Sequence, residues 1–243
     1  MNENDTPSLA RDLVVQRPGG PAQQLILLFH GAGGQPGDML GAGRRLAQEF
    51  PAAMIVSVGA PRPAPPGAGR QWFELRGVSE ENRIERVREA MPAFAAAVRH
   101  WQSESGVGGP ATALIGFSQG AIMALEAVAA GEVAAGRVAA IAGRFARLPL
   151  AAEPRTTLHL IHGKTDSVIA YAHAIAAAEH LIALGGDVTA DVLPFTGHEI
   201  SAAVVDVLIQ RLRGYIPRRL WEEALRADPE TALAAGACDR RLH

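Results

Sequence analysis

The chain alternates short, uninterrupted apolar runs with longer segments of helical periodicity, and this pattern constrains its fold more than any other feature. Leu25-Ile26-Leu27-Leu28-Phe29 is the clearest run, stopping at His30-Gly31-Ala32-Gly33-Gly34. Five apolar residues without polar alternation are what a strand covered on both faces requires. Residues 53–58, 113–115, 138–142, 157–161 and 188–193 predict further strands of the same kind. Between them, helical spacing is predicted over 38–50, 79–101, 121–130, 170–184 and 204–215. Ser79, followed by Glu80 and Glu81, supplies a cap and first-turn acids; Pro92 is expected to kink or divide that helix; Gly106 to Pro110 end it. Strands alternating with helices imply right-handed crossovers and a mostly parallel sheet with helices on both faces.

Length and composition fit one domain. The 243 residues are 48% hydrophobic and 20% charged, within the size that single α/β sheets reach. We expect residues 1–216 to form the domain, with 1–12 a disordered lead-in and 217–243 a peripheral tail carrying a short helix near 220–225. Cys238 is the only cysteine, so no internal disulfide is expected. The polar N-terminus lacks a secretory pattern, and no apolar run reaches the ~20 residues a membrane helix needs, so a cytoplasmic protein without stable membrane insertion is expected. A net charge of −2 provides no basic field for a phosphate backbone, which argues against nucleic acid as a partner.

Gly116-Phe117-Ser118-Gln119-Gly120 fits G-x-S-x-G, and it sits between a short apolar run and an Ala-rich helical segment. In that setting a strained strand-to-helix turn lifts the serine hydroxyl above the sheet. A serine hydroxyl needs a base, and in this architecture the chain order is serine, acid, histidine. Of the histidines after Ser118, His159 falls within a strand, His162 precedes the candidate acid, His173 and His180 lie on a helix, and His243 ends the chain. His198 stands in Phe195-Thr196-Gly197-His198-Glu199, a loop just beyond the last strand, where open α/β sheets carry their functional groups. Asp166 closes Ile161-His162-Gly163-Lys164-Thr165-Asp166, again just past a strand, and is the chosen acid: of the competing carboxylates Asp187 looks like a turn residue and Asp191 lies inside a strand, and the alternative role for Asp166 is a cap on the next helix.

A developing oxyanion needs preorganised donors. The N–H groups of Gln119 and Ala32 are the candidates, with Gly31 and Gly33 letting the backbone approach a substrate. His30 is assigned to holding that loop. Trp72 follows a Pro/Gly-rich loop over 59–69 and is assigned to the substrate wall, with Phe73 assigned to packing.

With these residues in hand, the chain resembles the phospholipase/carboxylesterase family of small serine esterases, relatives of the acyl-protein thioesterases. The resemblance spans about residues 25–215. It rests on Leu28-Phe29-His30-Gly31-Ala32-Gly33-Gly34, Gly69-Arg70-Gln71-Trp72-Phe73, Gly116-Phe117-Ser118-Gln119-Gly120, His162-Gly163-Lys164-Thr165-Asp166 and Gly197-His198-Glu199-Ile200. It implies an α/β-hydrolase fold without a large lid and Ser118, Asp166 and His198 as triad. It also implies Ala32 and Gln119 as oxyanion donors and Trp72 as a pocket wall. Two departures stand out: Gly34 lies where many members carry an acid, which alters the pocket rim and so the substrate choice more than the chemistry, and Val168-Ile169 is followed by Ala170 where many carry proline soon after the acid.

The resulting expectation is a carboxylesterase acting through an acyl-Ser118 intermediate on short-chain, lysophospholipid or acyl-thioester substrates. It needs no metal or organic cofactor, its partner is a small-molecule ester, and it is a monomer or homodimer. The competing readings are a non-catalytic binding protein of the same fold and an acyltransferase using the same acyl-enzyme.

Overall fold

Side chains alternate across the apolar runs, so each run feeds two cores. Leu25, Leu27 and Phe29 join one cluster while Ile26 and Leu28 join another. The strand over 53–58 divides in the same way, with Met54, Val56 and Val58 on one face and Ala53 and Ile55 on the opposite one. Both faces therefore demand helical cover, as the continuous apolar pattern requires. The computed structural model describes residues 12–65, 67 and 69–227. The lead-in expected over 1–12 falls outside these except for Asp12, as do Cys238 and the tail beyond 227.

The strands are β1 (Leu13–Gln16), β2 (Gln24–Phe29), β3 (Ala53–Val58), β4 (Arg62–Pro63), β5 (Arg70–Gln71), β6 (Thr112–Phe117), β7 (Arg137–Ile141), β8 (Thr157–Gly163) and β9 (Asp187–Leu193). The helices are α1 (Leu40–Glu49), α2 (Glu80–Ser105), α3 (Gln119–Ala129), α4 (Ala172–Ala183), α5 (Ala202–Gly214) and α6 (Arg218–Ala227). Seven strands form one sheet in the order β1-β3-β2-β6-β7-β8-β9. All neighbours pair in parallel except β1, which runs antiparallel to β3. Helices α2, α3 and α4 cover one face and α1 and α5 the other.

Three features depart from the pattern read along the sequence. Leu13–Gln16, left without a strand there, forms the sheet's edge; Leu13 and Val14 are partly exposed, so their run is short and mixed in character. Helix α2 runs through Pro92 as one element, ending on Gly106 in a left-handed cap with φ 69°. The segment leading to Trp72 folds back as a two-residue hairpin of β4 on β5 rather than an irregular loop. Helix α6 is fastened to the start of the sheet, where Arg219 donates to Thr157 Oγ1 at 3.1 Å and the Arg218 N–H to Asp187 at 3.1 Å.

Because β2, β6, β8 and β9 run in parallel, their carboxyl ends lie along one edge of the sheet. The segments that follow them bring His30, Ser118, Asp166 and His198 to that edge.

Candidate active site

Ser118 is the residue between β6 and α3, with φ 51° and ψ −114°, a conformation that L-residues rarely adopt. The turn closes tightly: a side chain at Gly120 would put its Cβ 2.3 Å from the Phe29 carbonyl oxygen, so glycine alone fits there. The turn aims the Ser118 hydroxyl at His198, whose Nε2 is 2.9 Å from Oγ. The opposite ring nitrogen, Nδ1, is 2.8 Å from Asp166 Oδ2. A proton on Nδ1 donated to the carboxylate leaves Nε2 as the acceptor for the serine hydroxyl.

Asp166 has a fully buried side chain, and both of its oxygens are engaged. Oδ1 accepts the N–H groups of Val168 and Ile169 at 2.8 and 2.9 Å, while Oδ2 faces His198. The cap and the histidine partner, alternatives in the sequence, are both roles of this one carboxylate. Burial pushes its pKa up, but the hydrogen bonds from His198, Ile169 and Val168 outweigh burial and hold it below the ordinary carboxylate range. The competing acids lie elsewhere. Asp191 pairs with Arg211 at 2.6 Å and Asp187 accepts from Thr157 and Tyr215.

A second histidine reaches the same carboxylate. His162 Nε2 is 2.8 Å from the Ile169 carbonyl and 3.1 Å from Asp166 Oδ2, and its side chain is buried. The sequence places it four residues before Asp166, and its chain order masked its contact with the acid. Gly163, between them, admits the histidine loop: a Cβ there would lie 2.3 Å from the Thr196 carbonyl oxygen and 2.4 Å from that of Gly197.

On the other side of Ser118 lie Ala32 and Gln119. Neither backbone N–H has a partner among the described residues, the state an oxyanion donor needs before substrate arrives. Gly31 packs closely on Phe117 and Ser118: a Cβ there would lie 3.1 Å from the Phe117 ring and 3.2 Å from Ser118 Cβ, so the neighbours would have to give. Gly33 contributes structure rather than a donor, because its N–H is given to the Arg70 carbonyl at 2.8 Å. His30 holds the loop, as its sequence position implied. It accepts the Ala60 N–H on Nε2 at 3.1 Å, so Nδ1 carries the proton donated to Gly31 O at 2.7 Å.

Trp72 is not a wall of the site. Its side chain is 1% exposed and packs edge-on against Phe29 and Phe94, with ring centroids 5.6 and 5.1 Å away. Its indole N–H is satisfied by the His30 carbonyl at 3.0 Å. The physical reason is the β4–β5 hairpin, which turns the chain inward so that Trp72 fills the space between α2 and the sheet. Phe73, expected to serve packing, is buried in the core at 2% exposure and borders the cavity as well. Gln119 links this segment to the serine turn, since its side-chain carbonyl accepts the Trp72 N–H at 2.6 Å and its amide donates to Phe73 O at 2.7 Å.

The cavity at Ser118 has a volume of about 520 Å³. Ala32, Gln119, Ile122, Val168 and Ile169 line it near the serine, and Glu80, Arg83, Arg144 and His173 line it as well. No sequence signal brings Arg83 and Arg144 together, because their meeting depends on how α2 and the loop after β7 pack. Among the described residues, no group of three His, Cys, Asp or Glu side chains is arranged to hold a metal ion. No described helix is long and apolar enough to cross a membrane.

Comparison with known proteins agrees with this geometry. A family model described as phospholipase/carboxylesterase matches residues 10–216. Esterase YpfH of Escherichia coli (strain K12) is 52% identical over 212 residues, covering 87% of this chain and 91% of that protein. Among solved structures, esterase PE8 superposes with a TM-score of 0.73 at 27% identity, over 82% of this chain and 97% of that one. A carboxylesterase from Mesorhizobium loti shares the fold with a TM-score of 0.70 at 21% identity, over 81% and 91% of the two chains.

Proposed function

The chain belongs to the phospholipase/carboxylesterase family, and from that premise we propose that it hydrolyses carboxylic esters through an acyl intermediate on Ser118. The observation that carries the reading is a single relay: Ser118 Oγ is 2.9 Å from His198 Nε2, and Nδ1 of the same ring is 2.8 Å from a buried carboxylate.

In the proposed reaction Ser118 Oγ attacks the ester carbonyl as His198 Nε2 takes its proton. The oxyanion forms against the N–H groups of Ala32 and Gln119, which need no reorganisation to receive it. Asp166 keeps the imidazole in the required tautomer and offsets the charge of the imidazolium. The tetrahedral intermediate collapses, His198 returns the proton to the leaving alcohol, and the acyl group remains on Ser118. Water, deprotonated by His198, then attacks the acyl-enzyme to release the acid and regenerate the serine hydroxyl.

A panel of p-nitrophenyl esters and acyl thioesters of graded chain length tests this. Wild type turns over members of the panel, and Ser118→Ala lowers kcat by about 10⁴–10⁶ while keeping the native circular dichroism. Turnover in folded Ser118→Ala within tenfold of wild type would refute the assignment.

A further inference from the structure

The cavity beside Ser118 carries an uneven charge. Arg83 and Arg144, with side chains only 16% and 15% exposed, share one carboxylate, that of Glu80. Arg83 Nη1 lies 2.6 Å from Glu80 Oε1, while Arg144 grips both oxygens at 3.0 and 2.8 Å. Arg144 is further tied to the Phe145 carbonyl at 3.1 Å and to His173 Nε2 at 3.2 Å. An imidazole nitrogen accepting from a guanidinium is unprotonated, so His173 adds no positive charge and no negative one. Asp166 also borders the cavity and carries a negative charge, but its side chain is buried and both oxygens are engaged by His198, His162 and two backbone N–H groups, apart from the Glu80 cluster.

Within the cluster, two guanidiniums against the one carboxylate of Glu80 leave a local excess of positive charge, and largely burying a guanidinium is costly unless it is paired. Among the described residues, the Arg83 guanidinium has one partner, Glu80, for its five N–H groups. No fully buried side-chain nitrogen or oxygen among the described residues lacks a partner, so the remaining Arg83 donors face solvent in or beside the cavity. The lining that Arg83 and Arg144 share with Ser118 also includes the apolar side chains of Leu75, Val78, Ile122 and Val168.

We infer that Arg83 and Arg144 form an anion subsite for the acyl half of the substrate, so that the preferred esters are half-esters whose acyl chain ends in a carboxylate. This rests on the esterase reading above and names its substrate class. The side of the site follows from proton transfer, because the leaving oxygen must lie within reach of His198 Nε2. His198 borders a separate cavity of about 300 Å³, shared with Asp38 and Glu199, whose carboxylates disfavour an anionic leaving group. The acyl chain is thereby directed into the larger cavity, whose lining holds both these apolar side chains and the guanidiniums. A planar carboxylate there meets the fork of donors that arginine presents best.

The test compares kcat/KM for mono-p-nitrophenyl esters of six- to nine-carbon diacids with their ω-carboxamides, which match them in shape without the charge. At the best chain length wild type prefers the carboxylate by on the order of tenfold or more. That ratio falls to about one in Arg83→Gln and survives in Arg83→Lys, and in wild type it shrinks as NaCl rises from about 0.02 M to about 0.5 M. The salt titration keeps the test decisive should the glutamine variant fail to fold. An anionic phenol as leaving group, on a neutral acyl chain, gains no such preference. Efficient turnover of the carboxamides with no preference for carboxylate at any length would overturn the subsite while leaving the esterase reading intact. A preference found on the leaving group instead would overturn the placement. Absence of turnover across both series would count against the esterase reading itself.

Discussion

Asp166 shows how much one side chain does at this site. Its Oδ1 fixes the turn over Val168 and Ile169 and its Oδ2 orients His198, so geometry and tautomer depend on the same group. Asp166→Asn keeps the shape but offers His198 an amide that can donate where a carboxylate only accepts. We predict a fall in kcat of about 10³–10⁴ with the fold retained. Asp191→Asn, which loosens a contact to Arg211 remote from the serine, stays within a few-fold of wild type; stopped-flow rates on one p-nitrophenyl ester decide between them. The meeting of Ser118, His198 and Asp166 was legible in the sequence because each follows an apolar run within a few residues, a position that parallel strands bring to one edge. His162 was not legible as a partner of the acid, since a histidine four residues away reads as a strand terminus until the loop closes on Ile169. Arg83 and Arg144, 61 positions apart, leave no local trace at all.

At the scale of elements, strands buried on both faces were read well: residues 53–58 are β3 itself, and the other central strands shift by one or two positions at their ends. Elements whose character depends on the tertiary neighbours were read poorly. β1 is an edge strand with one solvated side, and the hairpin of β4 and β5 has only two residues in each arm. Reading that hairpin as an irregular loop put Trp72 in the substrate wall, whereas it is buried among Phe29 and Phe94. The corrected account predicts that Trp72→Ala costs about 3–5 kcal/mol, on the order of a 10 °C loss in Tm, through an unfilled cavity and an unpaired His30 carbonyl. Relative rates across an ester chain-length series should hardly move. A variant with native Tm but a shifted chain-length preference would return Trp72 to the substrate wall.

For the whole molecule, the pattern of two-sided strands was sufficient to fix the sheet, the helices on its faces and the edge that carries the chemistry. Polar interactions within the sheet were beyond it. His159, fully buried in β8, receives Arg137 Nη1 on Nε2 at 3.1 Å and lies 2.9 Å from Thr189 Oγ1 through Nδ1. Burial, with the nearby charges of Arg137 and Arg211, lowers its pKa to about 4. The unfolded chain binds this proton below about pH 6.5, whereas the native state refuses it until about pH 4. Stability from this group is therefore complete above pH 6.5, declines as pH falls through that window, and levels off below it. Denaturant titrations at about pH 7.5 and 4.5 should show wild type losing about 2–3 kcal/mol more than His159→Gln loses over the same interval. Equal losses would mean that His159 titrates as an exposed histidine.

The account as a whole depends on Ser118 becoming covalently acylated with help from His198. Labelling with a fluorophosphonate, followed by peptide mass mapping, reads this directly. One phosphonyl adduct is predicted, on Ser118, absent from Ser118→Ala and formed far more slowly in His198→Ala. An adduct on another residue, or labelling of Ser118→Ala at the wild-type rate, would contradict it.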